Sequence, residues 1–303
     1  MENNSKQKYV KLLFYCITAL VILVLFLCFS TYRNYPSLRG LMLQSSAKLE
    51  PEEDFVKFIN VGQGDCILIH SNGYTAVIDS GNQSDYGSRL LDKMRSYGIR
   101  AIDCLIITHY DTDHVGGAAK LIGAFDVYNA ILPEQDDREP VTFDNLNYAL
   151  ANNITTTHSA KPGTVIRIGE CDITILCYNR DAENSNDRSI VLMAEMKGKK
   201  FLLTGDAGEE IEKQMLKDRI NVDCDVYKAS HHGSRNSNSI EFITAASPSY
   251  SIISAGSANS YGHPHDEVLE NLQSVGSLIY RTDRSGDLTF RVENEILEIE
   301  TEY

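Results

Sequence analysis

Short apolar runs separated by turn residues fill the chain from Phe55 onward, a pattern that predicts a succession of strands. The first three, Phe55–Asn60, Asp65–His70 and Tyr74–Asp79, are separated by glycine-containing turns. A helical spacing of apolar residues over Arg89–Tyr97 and a buried strand over Ile102–Thr108 come next. This region therefore begins as a strand meander and continues as alternating helix and strand.

The second half of the region repeats that order. Helices are predicted near 207–217, 238–246 and 265–275, and strands near 154–158, 164–168, 171–177, 188–196, 199–204, 224–229, 250–254, 277–281, 287–292 and 295–300. Segments 133–153 and 178–187 are expected to be loops that influence the choice of substrate. Two meanders, each followed by strand–helix alternation, favour two sheets packed face to face with helices outside.

An uncharged run without proline, Leu12–Phe29, precedes this region. At ~1.5 Å per residue, a helix over it is roughly 27 Å long, about the thickness of a bilayer's hydrocarbon core. A cleaved signal peptide and a buried core helix are the alternatives; the first usually has a shorter apolar part, and the second would carry polar positions. We predict a cytoplasmic tip and transmembrane anchor over residues 1–32, a linker over 33–53 and one folded domain over 54–303.

Charge changes this picture in two ways. Lys6, Lys8 and Lys11 lie just before the apolar run, which favours a cytoplasmic N-terminus and a C-terminal domain outside the cytoplasm. The whole chain has a net charge of −14, and residues 51–303 hold 22 basic and 40 acidic side chains, a net charge of −18. A domain this acidic lacks the broad basic surface that gives non-specific affinity for nucleic acid. Bound cations and local contacts would have to attract a phosphodiester.

The seven cysteines do not predict a disulfide framework, because their number is odd and none has CxxC spacing. Five of them lie in or beside predicted strands, where a thiol packs as a small apolar group. A bridge between Cys171 and Cys177 is the one pairing left open.

Four side chains that can bind metal fall within six residues directly after a buried strand: His109, Asp111, Asp113 and His114. Asp206 and His231 follow two other predicted strands, and they can close the site if those strand ends meet. Six mixed carboxylate and imidazole ligands satisfy two cations and leave positions for water. Two ions about 3.5–4 Å apart can hold a phosphoryl or carbonyl oxygen and activate a bridging water. A solvated turn with capping histidines explains any one member of this set, but not their combination.

The cluster resembles the His-x-His-x-Asp-His signature of the metallo-β-lactamase superfamily, with Asp111 where most members have histidine. Further stretches are similar to the metallo-β-lactamase domain of ComEC-type competence DNA-uptake proteins: Val61–Asp65, Ile78–Gly81, Thr108–Gly117, Asn186–Leu192, Leu203–Asp206, Ser230–Ser234 and Tyr261–Pro264. Together they cover roughly residues 55–292. The resemblance implies an α+β fold, the αββα four-layer metallo-β-lactamase sandwich, and the apolar run Leu12–Phe29 predicts one N-terminal transmembrane helix before it.

The resemblance also implies which residues hold the metals. His109 and Asp111 would bind one ion, Asp113 and His114 the other, and Asp206 would bridge them.

Other residues acquire supporting roles by the same resemblance. His231 matches the last family histidine, and its neighbour His232 is the alternative. Asp79 would orient a ligand histidine from behind, and Asp65 would lie near the metals.

The chain departs from the superfamily pattern between His114 and Asp206, where the middle ligand histidine has no clear counterpart. His158 is the only histidine in that interval and is expected to be structural, because it lies in a strand-like run. Asn186 stands where the ComEC-like pattern has asparagine, which leaves the first metal more open. This argues against β-lactam hydrolysis, and Asp111 in place of an imidazole makes manganese a candidate beside zinc.

His263, in a loop framed by glycine and proline, is the candidate catalytic residue. It can protonate a leaving alkoxide, contact phosphate or replace the missing ligand. A loop histidine bonded only to the backbone is the alternative.

Three functions are open at this point. The first is a membrane-anchored, metal-dependent phosphodiesterase that acts on DNA or another phosphodiester outside the cytoplasm. The second is a different hydrolase on the same fold, either a phosphorylcholine esterase or a lactonase. The third is a non-catalytic, metal-stabilised module that docks with a membrane uptake partner.

Overall fold

A computed structural model of the chain describes residues 53–83, 85–134, 141–293 and 295–303. The predicted transmembrane helix and almost all of the predicted linker lie outside these residues. Of the helices within the described ranges, none is both long enough and apolar enough to span a bilayer.

The described residues form fifteen strands: β1 (Phe55–Phe58), β2 (Ile67–Ser71), β3 (Tyr74–Ile78), β4 (Ala101–Ile106), β5 (Asp126–Leu132), β6 (Thr156–Ser159), β7 (Val165–Ile168), β8 (Cys171–Cys177), β9 (Val191–Met196), β10 (Lys199–Leu203), β11 (Val226–Lys228), β12 (Tyr250–Ile253), β13 (Leu278–Arg281), β14 (Leu288–Glu293) and β15 (Ile296–Thr301). They also form eight α-helices: α1 (Asp85–Ser96), α2 (Thr112–Val115), α3 (Ala118–Ala124), α4 (Val141–Ala151), α5 (Glu209–Lys217), α6 (Ile240–Ala246), α7 (Asp266–Ser274) and α8 (Thr282–Ser285). Two short 3₁₀ turns cover Asn186–Arg188 and Ser230–Gly233.

The strands form two sheets, one of eight strands in the order β15-β14-β1-β2-β3-β4-β5-β6 and one of seven in the order β13-β12-β11-β10-β9-β8-β7. Strands β3 to β6 of the first sheet run parallel to one another, and so do β10 to β13 of the second. The carboxyl ends of parallel strands meet at one edge of a sheet, so each sheet collects the loops that follow its strands at such an edge.

Alternating side chains divide the apolar core into three layers. Val56 and Phe58 of β1 lie in the layer between the sheets, whereas Phe55 of the same strand packs in the layer under the helices of the first sheet. Phe201 of β10 lies between the sheets, and Leu202 packs in the layer under the helices of the second sheet. Helix, sheet, sheet and helix therefore form four layers, as the two-sheet prediction and the αββα expectation required.

Three expectations about elements were wrong. Residues 126–132, which were assigned no element, form β5, and much of the expected loop 133–153 is helix α4. The strand predicted over 188–196 begins only at Val191, because a 3₁₀ turn occupies the preceding residues.

Cys171 and Cys177 are free thiols at opposite ends of β8, so the bridge left open by the sequence does not form.

Candidate metal centre

The turn after β4 supplies four of the predicted ligands. Its backbone enters α2 at Asp111, whose carbonyl accepts hydrogen bonds from the amides of His114 and Val115 at 2.9 and 3.0 Å. The rings of His109 and His114 pack together with centroids 4.1 Å apart, and both are buried. The Asp111 carboxylate lies 3.7 Å from Nε2 of His109 and stays 39% exposed. The turn therefore brings the imidazole rings of His109 and His114 and the carboxylate of Asp111 close together.

Asp206 adds a carboxylate to this cluster from the second sheet. It follows β10, and its Oδ1 lies 3.2 Å from Nε2 of His114. Its second oxygen lies 3.5 Å from Nε2 of His232 and 3.8 Å from Nε2 of His231. The carboxylate thus stands between the turn of the first sheet and the two histidines of the second, which is the position that a bridging ligand requires.

Two glycines permit this close approach of the loops. A Cβ on Gly64 would lie 2.3 Å from the carbonyl oxygen of Asp113. Gly205, just before Asp206, has a φ of +52° and stands against the side chains of Thr108 and Ser189. A larger residue at either position would push the two ligand-bearing loops apart.

His231 and His232 occupy different parts of the centre. Nε2 of His232 lies 3.2 Å from Asp113, and the side chain is 2% exposed. His231 is 24% exposed, and its Nδ1 lies 3.5 Å from the side-chain nitrogen Nδ2 of Asn186. The sequence prediction preferred His231 as the last family histidine, but the structure brings His232, and not His231, to the ligands Asp113 and His114.

The backbone at these two histidines is strained. His231 has φ 47° and ψ 48°, and His232 has φ 54° and ψ 23°, so two consecutive residues with side chains adopt the left-handed conformation. Such conformations are uncommon outside glycine and concentrate at functional sites. With this backbone conformation, the two neighbouring rings both lie near the carboxylate of Asp206.

Asp79 holds His114 and the start of the turn from behind. It follows β3, and its Oδ2 accepts hydrogen bonds from Nδ1 of His114 and from the hydroxyl of Thr108, both at 2.7 Å. Its Oδ1 accepts a hydrogen bond from the Thr108 amide, also at 2.7 Å. Donation from Nδ1 leaves Nε2 of His114 as a lone-pair donor for a cation. This is the arrangement expected for Asp79.

The other two buried rings are fixed in the same way. Nδ1 of His232 bonds the carbonyl of Ser254 at 2.9 Å, and Nδ1 of His109 lies 3.1 and 3.3 Å from the hydroxyls of Thr108 and Ser189. Nε2 of all three rings and one oxygen of Asp206 are buried without a hydrogen-bond partner. Buried polar atoms without partners are costly unless something binds them. Divalent cations fit, because these atoms converge in groups within 4.8 Å of one another.

Asp65 and Lys228 form a buried ion pair beside this centre. Oδ2 of Asp65 lies 2.6 Å from Nζ of Lys228, and the two side chains are 2% and 0% exposed. Oδ1 of Asp65 lies 3.5 Å from Nδ1 of His232. Asp65 is thus near the candidate ligands, as the resemblance implied. Lys228 was missed, although a lysine at the end of the apolar strand before Ser230-His231-His232-Gly233 was a visible signal.

Charges in the centre compensate one another when no cation is bound. Burial alone would lower the pKa of His232, but Asp206, Asp113 and Asp65 outweigh burial and raise that pKa to about 9. Burial likewise opposes the charged forms of Asp206 and His114, yet their mutual attraction lowers the pKa of the acid well below its usual value and raises that of the base. Bound cations would displace these protons, because ligand imidazoles must be neutral.

His263 lies at the outer side of the same centre. Its ring is 5.4 Å from that of His231 and 6.4 Å from that of His232, and its Nδ1 is buried without a partner. Burial, and then the neighbouring histidines, lower its pKa to about 4.

Asn186 also reaches the centre, whereas His158 does not. Oδ1 of Asn186 is buried without a partner beside His231. His158 lies in the edge strand β6, is exposed and has its Nε2 3.1 Å from Asn129. The structural role expected for His158 agrees with this position.

A family model described as "Metallo-beta-lactamase superfamily" matches residues 59–257, which is more than half of the chain. The chain therefore belongs to the metallo-β-lactamase superfamily. Among curated proteins, it is similar to ComE operon protein 3 of Bacillus subtilis, at 32% identity over 80% of the chain. It is also similar to Recombination protein 2 of Haemophilus influenzae, at 30% identity over 81%, and to competence protein ComA of Neisseria gonorrhoeae, at 26% over 82%.

These three relatives are ComEC-type competence proteins, so the resemblance stated from the motifs is confirmed. The chain spans only 34%, 30% and 35% of their respective lengths. Solved structures confirm the fold alone. They include CmlA, a diiron β-hydroxylase from Streptomyces venezuelae, with a TM-score of 0.56 and 14% identity over 80% of the chain and 54% of that protein. YhfI from Bacillus subtilis has a TM-score of 0.53 and 13% identity over 78% of the chain and 100% of that protein.

Proposed function

We propose that the chain is a dinuclear metal-dependent phosphodiesterase, anchored to the membrane by Leu12–Phe29 with its catalytic domain outside the cytoplasm. The observation that carries the proposal is the convergence of three partnerless Nε2 atoms and one partnerless carboxylate oxygen in a buried place. The superfamily relationship and this set of donors support metal-dependent hydrolysis.

One ion would be held by Asp113, His114 and His232, with Asp206 shared between the two ions. The distances of His232 to Asp113 and of Asp206 to His114, both 3.2 Å, support this assignment.

The other ion would be held by His109 and Asp111 together with Asp206. We assign His231 to this ion as the substitute for the missing middle histidine, because its Nε2 faces Asp206 at 3.8 Å while Asn186 lies against its other nitrogen. Carboxylates make up much of the ligand set, which suits manganese as well as zinc. Bound there, the ions would polarise a phosphoryl oxygen and supply a hydroxide at neutral pH.

The protein's own groups would orient the reaction. Asp79, Ser254 and the hydroxyl of Ser189 fix the ligand rings, so no reorganisation is needed when substrate arrives. His263 stands beside His231 with a free nitrogen, and we assign it contact with the phosphate oxygens or the leaving alkoxide.

A smaller ester is the second candidate substrate, because of the cavity next to the centre. About 330 Å³ in volume, it is bordered by Asp206 and His231 and also by the acidic side chains Asp187, Glu209 and Glu210. Carboxylates at this point would repel further phosphates of a polymer and tolerate a neutral or cationic group. A phosphorylcholine ester has such a group.

The test is hydrolysis of bis-p-nitrophenyl phosphate by the full chain supplied with Mn²⁺ or Zn²⁺. We expect the wild type to turn over this substrate and Asp113→Ala to be inactive. The control variant Asp223→Ala should be as active as the wild type. Asp223 is 64% exposed and precedes β11, whereas the candidate centre lies at the opposite end of that strand.

Other outcomes would change the assignment. Turnover of phosphorylcholine esters but not of DNA would favour the second candidate. Stable metal binding without turnover of phosphodiesters, phosphomonoesters, lactones or β-lactams would favour the module that docks with an uptake partner.

A further inference from the structure

The loop between β12 and α7 carries an exposed aromatic ring at the outer side of the candidate centre. Tyr261 is 66% exposed, and one face of its ring stacks on the ring of His263 with centroids 5.6 Å apart and an interplanar angle of 21°. His263 itself is only 8% exposed. One face of the tyrosine is therefore occupied by a buried ring, and most of the remaining ring is open to solvent.

A line of contacts connects this ring to the candidate metal ligands. His263 touches His231, with ring centroids 5.4 Å apart, and Nε2 of His231 lies 3.8 Å from Asp206. A group stacked on Tyr261 would therefore be separated from His231, and so from the candidate metal ligands, by the rings of Tyr261 and His263.

The loop that presents Tyr261 is held in one conformation by Asn259. The side-chain amide of Asn259 donates hydrogen bonds to the carbonyls of Gly256 and His263 at 2.8 and 2.7 Å, and its oxygen accepts one from the His263 amide at 2.9 Å. The Gly256 amide donates to Gln63 at 3.2 Å. An aromatic ring fixed in advance loses little conformational entropy when a ligand stacks on it.

We propose that Tyr261 is a stacking platform for a nucleobase of a single-stranded nucleic acid whose neighbouring phosphodiester lies at the candidate metal centre. This inference rests on the proposed phosphodiesterase function. Every nucleobase has a flat face, so one open aromatic ring binds bases without regard to sequence.

The number of rings favours a base over a quaternary ammonium group. Cages for such cations surround the ligand with several aromatic faces. In the described part of the chain, the ring contact of Tyr261 is with His263 alone. A single flat face fits a flat ligand.

The net negative charge of the domain explains why a stacking platform would help to bind a nucleic acid. With 40 acidic and 22 basic side chains in residues 51–303, long-range attraction cannot hold a polyanion on this domain. Stacking does not depend on charge, so it can hold the strand after the metal site has engaged one phosphate.

The test compares full-chain wild type with Tyr261→Ala, Tyr261→Phe and the control Tyr74→Ala. Tyr74 is also an exposed tyrosine, at 52%, but it begins β3 and so lies at the sheet edge opposite the centre. The substrates are an oligothymidylate and an abasic oligonucleotide of equal length, which has the same phosphates and no bases. Binding of both, labelled, is measured by fluorescence anisotropy, and cleavage is measured with Mn²⁺.

We expect Tyr261→Ala to weaken binding of oligothymidylate by about 5- to 150-fold and to raise its KM similarly, the range measured for the loss of one base–aromatic stack. Binding and cleavage of the abasic strand should be unchanged, Tyr261→Phe should behave as wild type, and so should Tyr74→Ala.

The platform is refuted if Tyr261→Ala weakens both strands equally or changes neither. Turnover of a phosphorylcholine ester that depends on Tyr261 would assign the ring to a cation and also overturn the inference. If wild type cleaves no phosphodiester, the proposed function fails. In that case the platform is still supported if wild type binds oligothymidylate more tightly than the abasic strand and Tyr261→Ala loses this difference. If wild type binds the two strands equally, the platform fails as well.

Discussion

Removal of Lys228 should destabilise the domain strongly, because it takes the nearest cation away from the buried carboxylate of Asp65. Nζ of Lys228 lies 2.6 Å from Asp65, and both side chains are almost wholly buried. Loss of one member of a buried ion pair costs about 3–5 kcal/mol. For a domain of this size, about 2–4 °C of melting temperature correspond to each kcal/mol. We therefore expect Lys228→Met to lower the melting temperature of the metal-free chain by between about 6 and 20 °C.

The assay is thermal and urea unfolding of the full chain in EDTA, followed by circular dichroism. The double variant Asp65→Asn/Lys228→Met removes both charges and should recover most of the lost stability, because no unpaired charge stays buried. Lys213→Met is the control, since Lys213 pairs with Glu209 and Glu210 on the exposed face of α5 and should have little effect. A single variant as stable as wild type, or a double variant no better than the single, would refute the reasoning.

Three further outcomes follow from the centre and the core. If His232 shares an ion with Asp113, the double variant Asp113→Ala/His232→Ala should keep about one metal ion per chain by elemental analysis, whereas Asp113→Ala/His231→Ala should keep fewer; equal contents would contradict the assignment. Asp79→Asn should weaken metal binding by about 10- to 100-fold in a competition assay with a fluorescent chelator, and an unchanged affinity would mean that His114 needs no orienting partner. Burial raises the pKa of Cys104 and Cys224 to about 12, so these thiols stay protonated below that pH in the folded chain and react with iodoacetamide only after unfolding; fast labelling of the native chain at pH 9 would show that they are not buried.

Motif spacing predicted the main features of the centre. His109, Asp113 and His114 follow a buried strand, and Asp206 follows another, so the rule that loops gather at the carboxyl ends of parallel strands was enough to bring them together. The contact of Asp79 with His114 needed the family resemblance, because nothing in the local sequence links two residues so far apart.

The choice between His231 and His232 could not be predicted from the sequence. Both rings follow the same strand, and their directions depend on two consecutive left-handed backbone conformations, which are uncommon outside glycine and which the local sequence did not indicate. The pairing of Lys228 with Asp65 was hidden for a similar reason, since a partner across the two sheets has no local pattern.

Two elements were missed because their sequences contain poor formers of the structure they adopt. Strand β5 begins at Asp126 and includes Asn129, residues that are uncommon in strands, but parallel pairing with β4 and β6 overrides this tendency. Helix α4 contains Asn145 and Asn147, yet Phe143 and Leu146 pack into the core and stabilise it.

Anomalous X-ray diffraction from crystals of the full chain grown with Mn²⁺ or Zn²⁺ measures the proposed centre most directly. We expect two peaks about 3.5–4 Å apart on either side of the Asp206 carboxylate, one beside His114 and His232 and the other beside His109. Each peak should lie about 2.0–2.3 Å from its ligand atoms. A single distant peak, or no peak within reach of Asp206, would contradict the claim that side chains from separate strand ends hold two ions.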